Sequence, residues 1–131
     1  MLTRRTVLAG LAASATLRPD RALAAWPERN VTLMHGLAPG GGVDVSARLI
    51  AEGLTRRLGQ QFVVEPKPGA AGTLMAAQVA RAKPDGYTLG YIPSGFAVSA
   101  AMYKSLPYRP IDEFTIIGQV LEFPLLFVTH G

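Results

Sequence analysis

The chain of 131 residues has no cysteine, so disulfides, thiolate metal sites and cysteine nucleophiles are excluded together. Histidine is nearly as scarce. His35 and His130 lie far apart, and neither has a partner at metal-ligand spacing, which gives both a structural or solvent-facing role and no metal to assign. No stretch reaches the ~20 consecutive apolar residues that a membrane helix needs. Strong charge is also missing once its distribution is followed. Of 13 lysines and arginines, four (Arg4, Arg5, Arg18, Arg21) fall in the first 24 residues, as does one of the nine acidic residues, Asp20. The remainder has nine basic and eight acidic residues and no basic patch interleaved with aromatics, so nothing points to a nucleic-acid partner.

The first 24 residues form a segment of their own. Arg4-Arg5 precede a run of small and aliphatic residues at 7–17, and Ala22-Leu23-Ala24 supplies small residues at the positions a signal peptidase reads. This is an export signal, cut before Ala25, with the arginine pair favouring the twin-arginine route over the Sec route. The expected location is therefore periplasmic. Residues 25–131 suffice for one small core.

What is abundant is the glycine-bearing loop. Ala38-Pro39-Gly40-Gly41-Gly42-Val43-Asp44 lies between a short apolar run, Val31-Thr32-Leu33-Met34, and a segment with Ala47, Ile50, Ala51, Leu54 and Leu58 at helical spacing. Glu52 and Arg56 pair one turn apart on that segment, and Gly59 is placed to end it. The glycines are expected to turn with positive φ and to expose the free N–H groups of the following helix, which suits an anion. Neither nucleotide motif fits. Val45 stands where a dinucleotide fingerprint needs glycine, and Val43-Asp44 stand where a Walker loop needs Lys and Ser/Thr.

The pattern recurs along the chain. Phe62-Val63-Val64-Glu65 reads as a strand followed by a loop of breakers, Pro66-Lys67-Pro68-Gly69-Ala70-Ala71-Gly72, and by a helix at 73–82 with Thr73 as its cap. After the Lys83-Pro84-Asp85-Gly86 turn, residues 87–92 make a third strand and Pro93-Ser94-Gly95 a third loop. A helix at 97–106 follows, with Met102, Tyr103 and Leu106 at core spacing. A loop at 107–114 and two further strands, at 115–120 and 125–129, complete the expectation. Strand, loop and helix in alternation predict an α/β fold, a mostly parallel sheet with flanking helices. In such a sheet the three loops emerge at one edge, where open α/β sheets bind ligands. The last strand has no helix after it, which reads as an incomplete lobe.

The ordered set of Val31 to Asp44, Ala47-Arg48-Leu49, Leu58-Gly59-Gln60, Val63-Val64-Glu65, Lys67-Pro68-Gly69-Ala70-Ala71-Gly72, Ala80-Arg81-Ala82, Pro84-Asp85-Gly86-Tyr87-Thr88-Leu89, Tyr103-Lys104, Leu106-Pro107-Tyr108 and Asp112-Glu113-Phe114 resembles the start of a Bug-type extracytoplasmic solute receptor of tripartite tricarboxylate transporters. The resemblance implies part of the first lobe of a type II periplasmic binding protein, with a small carboxylate held between it and a missing second lobe, and membrane transporter subunits as partners. It implies no cofactor. Ligand contact is carried over to Pro39, Gly40, Gly41, Gly42 and Asp44, to Gly69, Ala70, Ala71 and Gly72, and to Ser94 and Gly95. Two departures stand out. His35-Gly36-Leu37 replaces a Val-Pro-Phe type run, which removes an aromatic beside the first loop, and Pro66 replaces an asparagine, which takes an amide donor from the second.

The expected function is thus periplasmic capture of a small carboxylate for a transporter, without catalysis. An exported α/β enzyme using the glycine loop as an anion cradle is the alternative from another class, but Ile92 and Phe96 flank Ser94 where a nucleophile elbow needs glycine. A non-functional fragment is the other. Lys67 is the one basic side chain expected beside the first two loops, so backbone amides would hold the anion. Asp44, in the first helical turn, is expected to tie loop amides in place or to meet an amino or hydroxyl group of the solute.

Overall fold

The computed structural model describes residues 26–122 and 128–129. The export signal and most of the strand expected at 125–129 lie outside the described residues. Within them, three parallel strands, β1 (Val31–His35), β2 (Phe62–Pro66) and β3 (Thr88–Tyr91), pair in the order β2-β1-β3. Helices α1 (Gly42–Leu58), α2 (Thr73–Arg81) and α3 (Gly95–Met102) alternate with them, and a short 3-10 turn (Ala70–Gly72) precedes α2.

β1 is central because both its faces are covered. Val31, Leu33 and His35 are buried on one, Thr32 and Met34 half-buried on the other. The register sets Val31, Leu33 and His35 beside Phe62, Val64 and Pro66 of β2, and Leu33 and His35 beside Leu89 and Tyr91 of β3. On this face α1 lays Ala47, Ile50, Ala51 and Leu54 against Val31, Leu33 and Phe62. The alanines bring the helix axis close, and each fully buried large side chain contributes about 1.5–3 kcal/mol. Leu58 instead ends α1 exposed, just before Gly59 closes it with φ 75° and its N–H on Thr55 O. α2 covers the opposite face: Val79 sits over Gly90, the register partner of Met34. Outside α2 lies a third layer, where Tyr108 packs on Ala76 and Ala77 and forms an aromatic trio with Phe96 and Phe114 at centroid distances of 5.4–5.7 Å.

The expected α/β architecture is what forms, with several corrections. Pro66 belongs to β2, not to the loop. β1 bonds β2 through Gln61 O and the Lys67 N–H, and the intervening Phe62 N–H turns outward to Thr55 Oγ1, so the proline occupies an outward position where no ladder bond is lost. Thr73 does not cap α2. Gly72 takes the cap position at φ 89°, and the buried Thr73 Oγ1 has no partner among the described residues. α3 begins two residues early and ends at Met102, because Phe96 in its first turn supplies the anchor to the aromatic trio. Val98 and Met102, one turn apart, therefore face outward, and of the expected stripe only Leu106 joins the core; Met102 is 75% and Tyr103 47% exposed. Residues 115–120 form no strand: among the described residues no ladder partner reaches them, and Ile116 and Ile117 are exposed.

Candidate functional site

The order β2-β1-β3, with α1 and α2 on opposite faces, makes the carboxyl end of β1 the point where connections diverge. A crevice opens there by topology alone. Three loops border it.

The first loop, residues 36–41, leaves β1 and enters α1. Of its glycine run only Gly40 takes positive φ, 81°; Gly41 is extended at the helix cap, with φ −76° and ψ 170°. The expected run of positive-φ glycines is therefore one turn-making residue followed by two that keep the approach bare. A Cβ on Gly42 would meet nothing within 4 Å. Among the described residues no side chain caps α1, which leaves its first N–H groups without a side-chain partner there, at an exposed rim.

Beneath this rim Asp44 is buried and saturated. Its Oδ1 accepts from His35 Nε2 at 2.9 Å and Arg48 Nη2 at 3.2 Å, its Oδ2 from the Gly40 N–H and Arg48 Nε, both at 3.0 Å. The Arg48 hydrogen bonds, then the Gly40 N–H and His35, hold the carboxyl well below the ordinary carboxylate range, while burial opposes them. Of the two roles expected for Asp44, tying loop amides is the one its geometry fills. Arg48 corrects the reading of Lys67 as the one nearby cation, and Lys67 itself pairs with Glu65 at 2.7 Å. Both cations are compensated within the chain.

The second loop is wound left-handed. Gly69, Ala70, Ala71 and Gly72 have φ of 137°, 47°, 52° and 89°. Two alanines in this region cost about 1 kcal/mol or more each. Ala71→Gly is accordingly expected to raise stability by up to about 1 kcal/mol, the relief being partly offset by a more flexible unfolded chain. Thermal denaturation checks it, and a clear loss of stability would contradict the left-handed geometry.

The loops meet backbone to backbone. A Cβ on buried Gly36 would stand 2.5 Å from Gly72 Cα, and Gly36, Leu37, Gly72, Ile92 and Pro93 line one small cavity. In the third loop Ser94 precedes α3 with helical φ/ψ and no side-chain cap bond. Gly95 shares with Ala71 an open, mostly apolar groove of ≈ 440 Å³, bordered by Val98, Ser99, Met102 and Tyr103. The structure thus joins loop one to loop two at Gly36 and Gly72, and loop two to loop three at Ala71 and Gly95; Pro39, Gly40, Gly41 and Gly42 extend from the first junction into solvent. Sequence reasoning missed Arg48, although it lies one helical turn after Asp44, and gave His35 only a generic structural role. Among the described residues no group of three or more acidic or histidine side chains is placed to hold a metal ion, and no helix is long and apolar enough to cross a membrane.

Comparison with known proteins gives this geometry relatives. Residues 46–131 match the profile of the tripartite tricarboxylate transporter family receptor, TctC. The chain is 44% identical over 117 residues to a UPF0065 protein of the TAR-I ttuE-ttuC' intergenic region of Agrobacterium vitis, covering 88% of this chain and 34% of that protein. Among solved structures it resembles the periplasmic binding protein BugD, with TM-score 0.65 and 43% identity over 68% of this chain and 30% of the other. MatC from Rhodopseudomonas palustris with bound malate gives 0.63 and 40%, over 69% of this chain and 31% of its own. The chain spans about a third of the length of these relatives.

Proposed function

The chain belongs to the tripartite tricarboxylate transporter receptor family, and from that premise we propose that it forms part of the first lobe of a periplasmic receptor that captures a small carboxylate for membrane transporter subunits. The observation that carries this reading is the convergence of three glycine-bearing loops at the carboxyl edge of the sheet, with the Gly36 and Gly72 backbones in contact. Malate bound to a structural relative supports the ligand class. In this reading the solute carboxylate accepts from the N–H groups of Gly41 and Gly42 and of Gly69, Ala70 and Ala71, while Pro39, Gly40 and Gly72, whose N–H is missing or already bonded, shape the two rims, with Ser94 and Gly95 at the third side. Asp44 sits behind the amides and shapes them. The second lobe closes over the ligand, and residues 1–24 direct export, with cleavage before Ala25.

Amide donors suit this task because they are fixed by the fold and lose no side-chain entropy on binding. The test is calorimetric titration of the protein, extended to the two-lobe length of its relatives, with malate, adipate, citrate and benzoate. Saturable one-to-one binding of a carboxylate, lost when the carboxylate is replaced by the amide, is expected. No heat with any of these acids from a cooperatively folded protein would overturn the reading.

A further inference from the structure

The buried histidine at the end of the central strand has a task that its burial alone does not explain. Four hydrogen bonds reach the Asp44 carboxylate, and their origins differ. Gly40 lies in the same loop, and both Arg48 bonds come from the same helix one turn away, through a side chain that is 58% exposed. Those three would travel with the loop and helix if the pair shifted as a unit. Only His35 belongs to the sheet. It is fully buried, with Pro66 of β2 and Tyr91 of β3 as its register partners and its own carbonyl bonded to the Lys67 N–H. The ring cannot follow a moving loop.

We propose that His35 is a positioning residue: by donating from Nε2 to Asp44 it fixes the first glycine loop and the amino end of α1 to the sheet, and so sets where the ligand-facing amides stand. The ligand-facing part of this statement rests on the proposed function; the fixing of the loop does not. The direction of the bond follows from the partner. An ionised carboxylate that accepts from Gly40 and Arg48 has no proton to give, so the hydrogen of this bond lies on Nε2, while Nδ1 meets no partner among the described residues. The Tyr91 hydroxyl strengthens the same seam. It pairs at 3.2 Å with Ser46 Oγ, which itself bonds Val43 O in the first turn of α1. Strand ends β1 and β3 thus each hold the start of α1 by one side chain.

Three measurements on the whole protein decide the matter. In the unaltered protein, nitrogen NMR of His35 should show a proton on Nε2; a proton on Nδ1 alone overturns the proposal. In His35→Leu the Gly40 amide should exchange with solvent about tenfold faster relative to Thr32 and Leu33 of β1, the effect of losing one hydrogen bond. His35→Gln, which keeps a donor at similar reach, should restore most of the protection. Equal acceleration of strand and loop, or no rescue by glutamine, would reduce His35 to a core filler. If His35→Leu does not fold, the Nε2 proton and the Gly40 exchange of the glutamine variant decide alone. Titration with the same four acids separates the two readings. A protein that binds one of them should lose affinity for it by about the same tenfold in His35→Leu, whereas a protein that binds none counts against the function and leaves the exchange test standing.

Discussion

Gly36→Ala is expected to be among the most damaging single-methyl changes in the chain, lowering stability by about 3 kcal/mol. The reason is local and steric. The added Cβ would lie 2.5 Å from Gly72 Cα and 3.4 Å from the carbonyl carbon and oxygen of the same residue. All three are backbone atoms, so no rotamer change makes room and one loop must retreat from the other. Gly36 has no positive φ, so alanine brings no conformational strain of its own, and its smaller unfolded-state entropy returns only about 0.4–1 kcal/mol. Gly40→Ala is the comparison. Its Cβ would meet nothing within 4 Å, so its cost is the roughly 1 kcal/mol of a left-handed alanine. Thermal or urea denaturation of the two variants should rank Gly36→Ala well below Gly40→Ala. If the order were reversed, the backbone contact between the loops would not exist as described.

That contact also marks how far the sequence is readable. The three strands and α1 are legible because each has an independent local signal: β-branched runs for strands, an apolar stripe with Ala47 and Ala51 for the helix, Gly59 to end it. The clustering of the loops follows from parallel topology, which places every strand's carboxyl end on one edge. What the sequence does not declare is which glycine does what. Gly36, Gly40 and Gly41 look equivalent on paper, yet one is needed for space, one for its φ, and one sits in an ordinary extended conformation. The left-handed Ala70 and Ala71 are invisible for the same reason, since no propensity favours alanine there. The core stripe at Met102 and Tyr103 fails because helical spacing says which residues share a face but not which face is buried, and Phe96 decides that from the first turn of α3. Arg48 was within reach of the same one-turn rule that identifies Glu52 and Arg56. His35 was not, because its partner is nine residues away across a turn whose geometry is set by the folded sheet.

Asp44→Asn should be the second large loss, despite preserving shape almost atom for atom. Every group around the carboxylate is a donor: His35 Nε2, the Gly40 N–H, and Arg48 Nε and Nη2. An asparagine amide replaces one acceptor oxygen by an NH2 group, which faces a donor whichever way it is flipped, and it also strands the Arg48 charge. Leaving buried donors unpaired costs more than the mean value of a hydrogen bond, so the melting temperature is expected to fall by on the order of 10 °C. The effect must also depend on pH in one direction. Asp44 titrates lower in the folded protein than in the unfolded chain, where a free aspartate has a pKa of ~3.9. The unfolded state therefore takes up the proton first as pH falls, so the stabilisation from the ionised carboxylate is complete well above pH ~4 and shrinks below it. The melting-temperature gap between wild type and Asp44→Asn should accordingly be widest near neutrality and narrow as the buffer is taken from about pH 5 toward pH 2. A gap that stayed constant across that range, or widened in acid, would show that the ionised carboxylate is not what holds Gly40 and the amino end of α1 to His35.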